Sequence, residues 1–152
     1  MLHFAYGSNM DRAAMRRRCP DAKAVGLAWL DNWRFIVTRD GYASVVPAAG
    51  EIVHGVLWRL TLRDLAAVNA YESVDSGLYA RRLLPLRHAG GQVQALVYVA
   101  RERRVGRPRP GYQDLVVAAA RDWNLPPDYV RALARWSPSR LTARAAEAGE
   151  LA

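Results

Sequence analysis

The order of patterns along the chain predicts an α+β fold: a small closed or strongly curled mixed β-sheet, or barrel, with flanking helices. Three observations lead there. The first two thirds hold short runs rich in β-branched and aromatic residues, separated by tight turn dipeptides. The last third switches to apolar stripes at helical spacing. With 152 residues, 51 % of them apolar, the chain can fill one core but not two. Residues 1–152 are therefore read as a single domain, with the Ala-rich stretch 140–152 as a frayed tail.

Each element has its own signal. Leu2 to Tyr6, "LHFAY", is a short strand that runs into a polar Gly7-Ser8-Asn9 loop. Asn9 or Asp11 can cap a helix through "DRAAMRRRC", which Pro20 breaks. "NWRFIVT" from Asn32, "YASVVP" from Tyr42 and "IVHGVLWRL" from Ile52 read as three strands, with Asp40-Gly41 and Gly50-Glu51 as the turns between them. Thr61 and Asp64 have the spacing of a capping box at the head of a helix ending at Glu72. Tyr79–His88 and Gln92–Ala100 form a hairpin around Gly90-Gly91, and Val93, Ala95, Val97 and Val99 alternate onto one of its faces. Tyr112, Leu115, Val116, Ala119 and Trp123 then mark one helical stripe. Tyr129, Val130, Leu133 and Trp136 mark a second, opened by Pro126-Pro127.

Composition narrows the function. No run reaches the length of a membrane span, and the first residues carry neither a charged leader nor an apolar signal core, so a cytoplasmic protein with no membrane partner is expected. Cys19 is the only cysteine, which rules out an intramolecular disulfide; it is read as small apolar filler. Net charge is +8, and Lys23 is the sole lysine among 22 basic residues. The arginines are scattered and not interleaved with stacking aromatics, so nucleic acid is not the expected partner. His3, His54 and His88 have no cysteine or carboxylate at ligand spacing; no metal is expected, and they are read as surface or strand filler. A monomer or homodimer is expected.

Two stretches carry candidate chemistry. Ser8 stands on a strand-to-helix turn but lacks the G-x-S-x-G spacing, and no G-K-[ST] follows Gly7. What remains is a loop whose backbone N–H groups, Gly7 to Met10, can hold an anion or a developing oxyanion. Glu72 stands at a helix-to-strand junction, either as a solvated end residue or as a lone general acid or base.

Together the two stretches resemble the gamma-glutamylcyclotransferase family, which includes the AIG2-like proteins. That family opens on Tyr-Gly-Ser-Asn-(Leu/Met), here Tyr6-Gly7-Ser8-Asn9-Met10, and carries Glu-x-Val-x-Ser-Gly-x-Tyr, here Glu72 to Tyr79. "GEIVHGVLWRL" is similar to its central strand and "PRPGYQDLVVAAARDWNLPPDYVRAL" to its C-terminal helices, so the likeness spans residues 2 to about 136. Ser73 departs from it, at a place where members often carry glycine. The resemblance implies a gamma-glutamylcyclotransferase-like fold and cyclisation of a small gamma-glutamyl substrate to 5-oxoproline. Glu72 would be catalytic, Tyr6, Gly7, Ser8, Asn9, Met10 and Tyr79 substrate-binding, and no cofactor is needed. The alternative is a non-catalytic AIG2-like binding module, against which the intact Glu72 argues; an RNA-binding protein is a more distant one.

Overall fold

The structure, a computed structural model, describes residues 1–137; the stretch expected to fray, 140–152, lies outside them. Five strands form a closed barrel in the order β1-β3-β2-β4-β5. They are β1 (Leu2–Ala5), β2 (Lys23–Val37), β3 (Ala43–Arg59), β4 (Tyr79–His88) and β5 (Gly91–Ala100). Four helices accompany them: α1 (Arg12–Arg18), α2 (Leu62–Tyr71), α3 (Tyr112–Asp122) and α4 (Pro127–Ala134). The expected α+β class and curled mixed sheet are present.

The short strand β1 closes the barrel. It pairs antiparallel with β3, Leu2 opposite Arg59 through Ala5 opposite Val56, and parallel with β5 at His3 and Leu96. With a neighbour on each side, its His3, Phe4 and Ala5 are all buried. Gly55 permits this approach. A Cβ there would stand 2.3 Å from the Ala5 carbonyl oxygen and 2.7 Å from the Phe4 ring, too close for any side chain.

Three expectations are corrected. First, "YASVVP" and "IVHGVLWRL" belong to one continuous strand, β3. Gly50-Glu51 is a bulge inside it, where the register passes from Trp33 opposite Pro47 to Asp31 opposite Ile52. Asn32, at φ 63, accepts the Gly50 N–H at 3.0 Å and anchors the bulge. Second, β2 begins at Lys23, not Asn32; its Ala- and Gly-containing first half has weak strand propensity and is held by pairing with β3. Third, the α3 stripe is rotated. Leu115 is exposed, while Gln113 is buried with Val116, Val117 and Ala120, because its side chain donates to the Leu133 carbonyl at 2.9 Å and ties α3 to α4.

The remaining signals hold. Asp40-Gly41 turns β2 into β3, with Gly41 at φ +89 and its N–H on the Thr38 carbonyl. Asp11, not Asn9, caps α1 by accepting the Ala14 N–H at 2.9 Å. Both halves of the Thr61–Asp64 capping box form, and β4 pairs with β5 as expected. Cys19 is buried.

Candidate active site

Two chain segments distant in sequence meet at one end of the barrel. The first leaves β1 and makes a single tight 3-10 turn, Ser8–Met10, closed by Met10 N–H on the Gly7 carbonyl and Asp11 N–H on that of Ser8. Two indoles hold its outer side: Trp58 Nε1 donates to the Asn9 carbonyl at 3.1 Å and Trp123 Nε1 to that of Met10 at 2.7 Å. The N–H groups of Gly7, Ser8 and Asn9 have no acceptor among the described residues, and all three residues line a cleft of about 180 Å³. A Cβ on Gly7 would meet the Tyr112 hydroxyl at 3.1 Å and the Ala43 Cβ at 3.2 Å. Glycine is needed there for room.

The second segment is the end of α2. Glu72 is the C-cap residue, its N–H on the Val68 carbonyl at 2.9 Å. Ser73 follows in the left-handed region at φ 51; its N–H bonds the Ala70 carbonyl and the Val74 N–H bonds that of Asn69. These two bonds make a Schellman ending, which glycine most often supplies. A serine here costs about 1 kcal/mol against glycine and leaves the geometry intact. The chain then turns through Gly77 into β4 and Tyr79.

The carboxyl of Glu72 faces this loop, and Asn9 Nδ2 donates to Glu72 Oε1 at 3.1 Å. Burial lifts the Glu72 pKa to about 7, against the lowering pull of the Arg18 charge and the Asn9 hydrogen bond. A carboxyl poised there is ionised for a large fraction of the time at neutral pH and binds a proton well enough to carry one.

Of the residues expected at the site, Tyr6, Gly7, Ser8, Asn9, Glu72 and Tyr79 all line the cleft. Met10 does not: it is fully buried in the core, with its N–H turned back to Gly7. Tyr6 and Tyr79 give their hydroxyl protons to backbone, Tyr6 to the Tyr98 carbonyl and Tyr79 to the Ala43 carbonyl at 2.6 Å. With its proton on the Ala43 carbonyl, the Tyr79 hydroxyl offers the cleft an acceptor.

Sequence reasoning missed most of the wall. Six of the seven tyrosines line this one cleft, Tyr42, Tyr71, Tyr98 and Tyr112 joining the two expected. Their spacing along the chain shows no pattern, and only their surplus over phenylalanine, seven against two, signals that buried hydroxyls have work to do. His3, read as surface or strand filler, lies buried on β1 and also reaches the cleft. It packs edge-on against Tyr98, and burial drives its pKa down to about 4.

Comparison with known proteins agrees with this geometry. The model of the family "Gamma-glutamyl cyclotransferase, AIG2-like" matches residues 3–125. The chain belongs to that family. Gamma-glutamylcyclotransferase from Homo sapiens is 24 % identical over 96 % of this chain and 84 % of its own; the Bos taurus protein of that name is likewise 24 % identical, over 96 % and 84 %. A solved gamma-glutamyl cyclotransferase superposes with a TM-score of 0.82 at 24 % identity, covering 88 % of this chain and 85 % of its own, so the fold is shared. These relatives are enzymes, and this family member is a gamma-glutamylcyclotransferase-like enzyme. The family match ends before α4, short of the expected limit near residue 136. Among the described residues no helix is long and apolar enough to cross a membrane.

Proposed function

We propose that this protein cyclises a gamma-glutamyl compound to 5-oxoproline and releases a free amine or amino acid, with Glu72 moving the proton. The observation that carries this reading is a carboxyl with a pKa near 7 placed across the cleft from the free amides of Gly7, Ser8 and Asn9.

The reaction asks little of a protein. The substrate's own α-amine is the nucleophile, and a bound, curled gamma-glutamyl group holds it close to the γ-carbonyl at high effective concentration. The amine arrives as an ammonium, so ionised Glu72 takes one proton as the C–N bond of the five-membered ring forms. The amides of the Gly7–Asn9 turn stabilise negative charge on substrate oxygen. Glu72 gives that proton to the departing nitrogen as the old amide bond breaks, then takes the second proton that the ring nitrogen sheds on becoming a lactam N–H and passes it to the released amine, which leaves as an ammonium. Glu72 ends as it began, and no water is consumed. The tyrosine walls hold the substrate curled and keep water out.

The deciding experiment incubates the protein with gamma-glutamyl dipeptides, glutathione and gamma-glutamylamines and measures 5-oxoproline. At least one compound should be turned over, and Glu72→Gln, which preserves the Asn9 hydrogen bond, should lose about 10³-fold in kcat. Full activity in that variant would remove Glu72 from the mechanism. Binding of the panel with no product from any member would make the protein a binding module.

A further inference from the structure

We propose that Arg18 is a positioning residue for the Glu72 carboxyl, acting through the side-chain amide of Asn9. This rests on the reading of Glu72 as the proton carrier.

The connection is physical. Arg18 Nη1 donates to Asn9 Oδ1, and Asn9 Nδ2 donates to Glu72 Oε1 at 3.1 Å. A guanidinium has donors only, so the amide oxygen must turn to Arg18 and the NH₂ to Glu72. The orientation of the Asn9 amide, otherwise a free two-way choice, is thereby set. Asn9 is 4 % exposed, so a flipped amide would set its oxygen against the carboxylate with no water to relieve the repulsion. Arg18 is itself held: its Cζ sits over the Tyr71 ring, 3.5 Å from the centroid, and the Tyr71 hydroxyl is 3.0 Å from Ser8 Oγ. The last residue of α1, the last residue of α2 and the loop after β1 form one brace around Glu72.

Arg18 does not line the cleft, so its effect must pass through Asn9 or through the field of its charge. Facing Glu72 from other elements are Tyr6 after β1, Tyr79 on β4, Tyr98 on β5 and Tyr112 on α3, and burial raises the pKa of each. These phenols stay neutral through the range in which Glu72 titrates. Asp64 lies at the far end of α2, bound in the cap with Thr61. Arg18 is then the one full charge among the described residues that acts on Glu72 in that range.

The test is a double-mutant cycle read on Glu72 itself, by carboxyl-carbon NMR titration of glutamate-labelled protein assigned with Glu72→Gln. Arg18→Met keeps an apolar stem against Tyr71 and removes the donor and the charge. It should raise the Glu72 midpoint by roughly one pH unit. In an Asn9→Ala background the same change should move the midpoint less, by what the field of the charge supplies without the amide. An unchanged midpoint, or an equal shift in both backgrounds, would overturn the role through Asn9; the second result would leave only the field of the charge. If Arg18→Met does not fold, Arg18→Leu, which also removes the donor and the charge, carries the same cycle with the same readings. On substrate, Arg18→Met should lose about fivefold in kcat/KM near pH 7 and recover at higher pH, a recovery that general loosening of the fold would not produce. Because the titration needs no substrate, failure of the proposed reaction and failure of this brace are seen separately.

Discussion

Glu72 and Glu102 each stand near an arginine, and their carboxyls move in opposite directions. Glu102 lies in the loop after β5. Arg104 meets it with a two-pronged fork, Nε to Oε1 at 2.9 Å and Nη2 to Oε2 at 2.7 Å, and adds its backbone N–H at 2.7 Å. Those three donors hold the Glu102 pKa down at about 2. Arg18 aims its donor at Asn9, so Glu72 receives one neutral hydrogen bond and a distant charge while the tyrosine walls strip away its water. Burial wins, and the carboxyl rises to about 7. A neighbouring cation stabilises a carboxylate most strongly where its donors reach it directly. At Glu72 that reach is interrupted by one amide, which leaves a carboxyl able to exchange protons at neutral pH.

The widest separation should appear in the pH profile of turnover. Ionised Glu72 is the base, so kcat/KM should fall about fiftyfold between pH 7 and pH 5, approaching tenfold per unit well below the midpoint. The substrate ammonium titrates above that window and leaves the limb to the enzyme. Glu102→Gln should overlay the wild-type curve. A wild-type profile flat over this range would mean that Glu72 is not the titrating base.

Stability should separate the two next, and with opposite signs. The folded-state pKa of Glu72 is above its unfolded value, so its protonated form favours folding; that contribution is present below about pH 4.5 and lost as pH rises through about 7. Glu72→Gln should therefore be more stable than wild type by about 3 kcal/mol at pH 8, with the gap closing toward pH 4.5. Urea unfolding at the two pH values measures it. A gap of equal size at both would trace to packing rather than to charge.

The smallest effect belongs to the surface fork. The Glu102 pKa is lowered in the fold, so its contribution is present above about pH 4.5 and is lost as pH falls toward 2. Solvent and salt screen it: Arg104→Ala should move the thermal midpoint at pH 7 by less than roughly 2 °C. A larger drop would show that the loop after β5 depends on the fork for its conformation.

Much of the framework was legible because it is local. The Thr61–Asp64 capping box, the Asp40-Gly41 turn, the Asp11 cap and the β4–β5 hairpin depend on residues a few positions apart, and each formed. Reading failed where partners are distant. The first half of β2 has poor strand propensity and exists because β3 lies beside it, and Gly50-Glu51 looks like a turn but bulges inside a strand whose pairing resumes on both sides. At the site, Tyr6-Gly7-Ser8-Asn9 and Glu72 stood out by their match to a family pattern. Arg18 did not, because it was one arginine within the run from Arg16 to Arg18; only the fold selects it, by laying Tyr71 beneath it and Asn9 before it.

The sequence alone determined that a polar loop follows the first strand, that a carboxylate ends the second helix, and that the class is α+β, because turns, caps and periodicity are decided by near neighbours and backbone sterics. Only the tertiary structure decided that β1 is held between β3 and β5 and that six tyrosines face one cleft. It alone decided which way the Asn9 amide points and that Glu72 loses enough water to titrate near neutrality. Desolvation and charge depend on everything that surrounds a group, and those surroundings are assembled from every part of the chain at once.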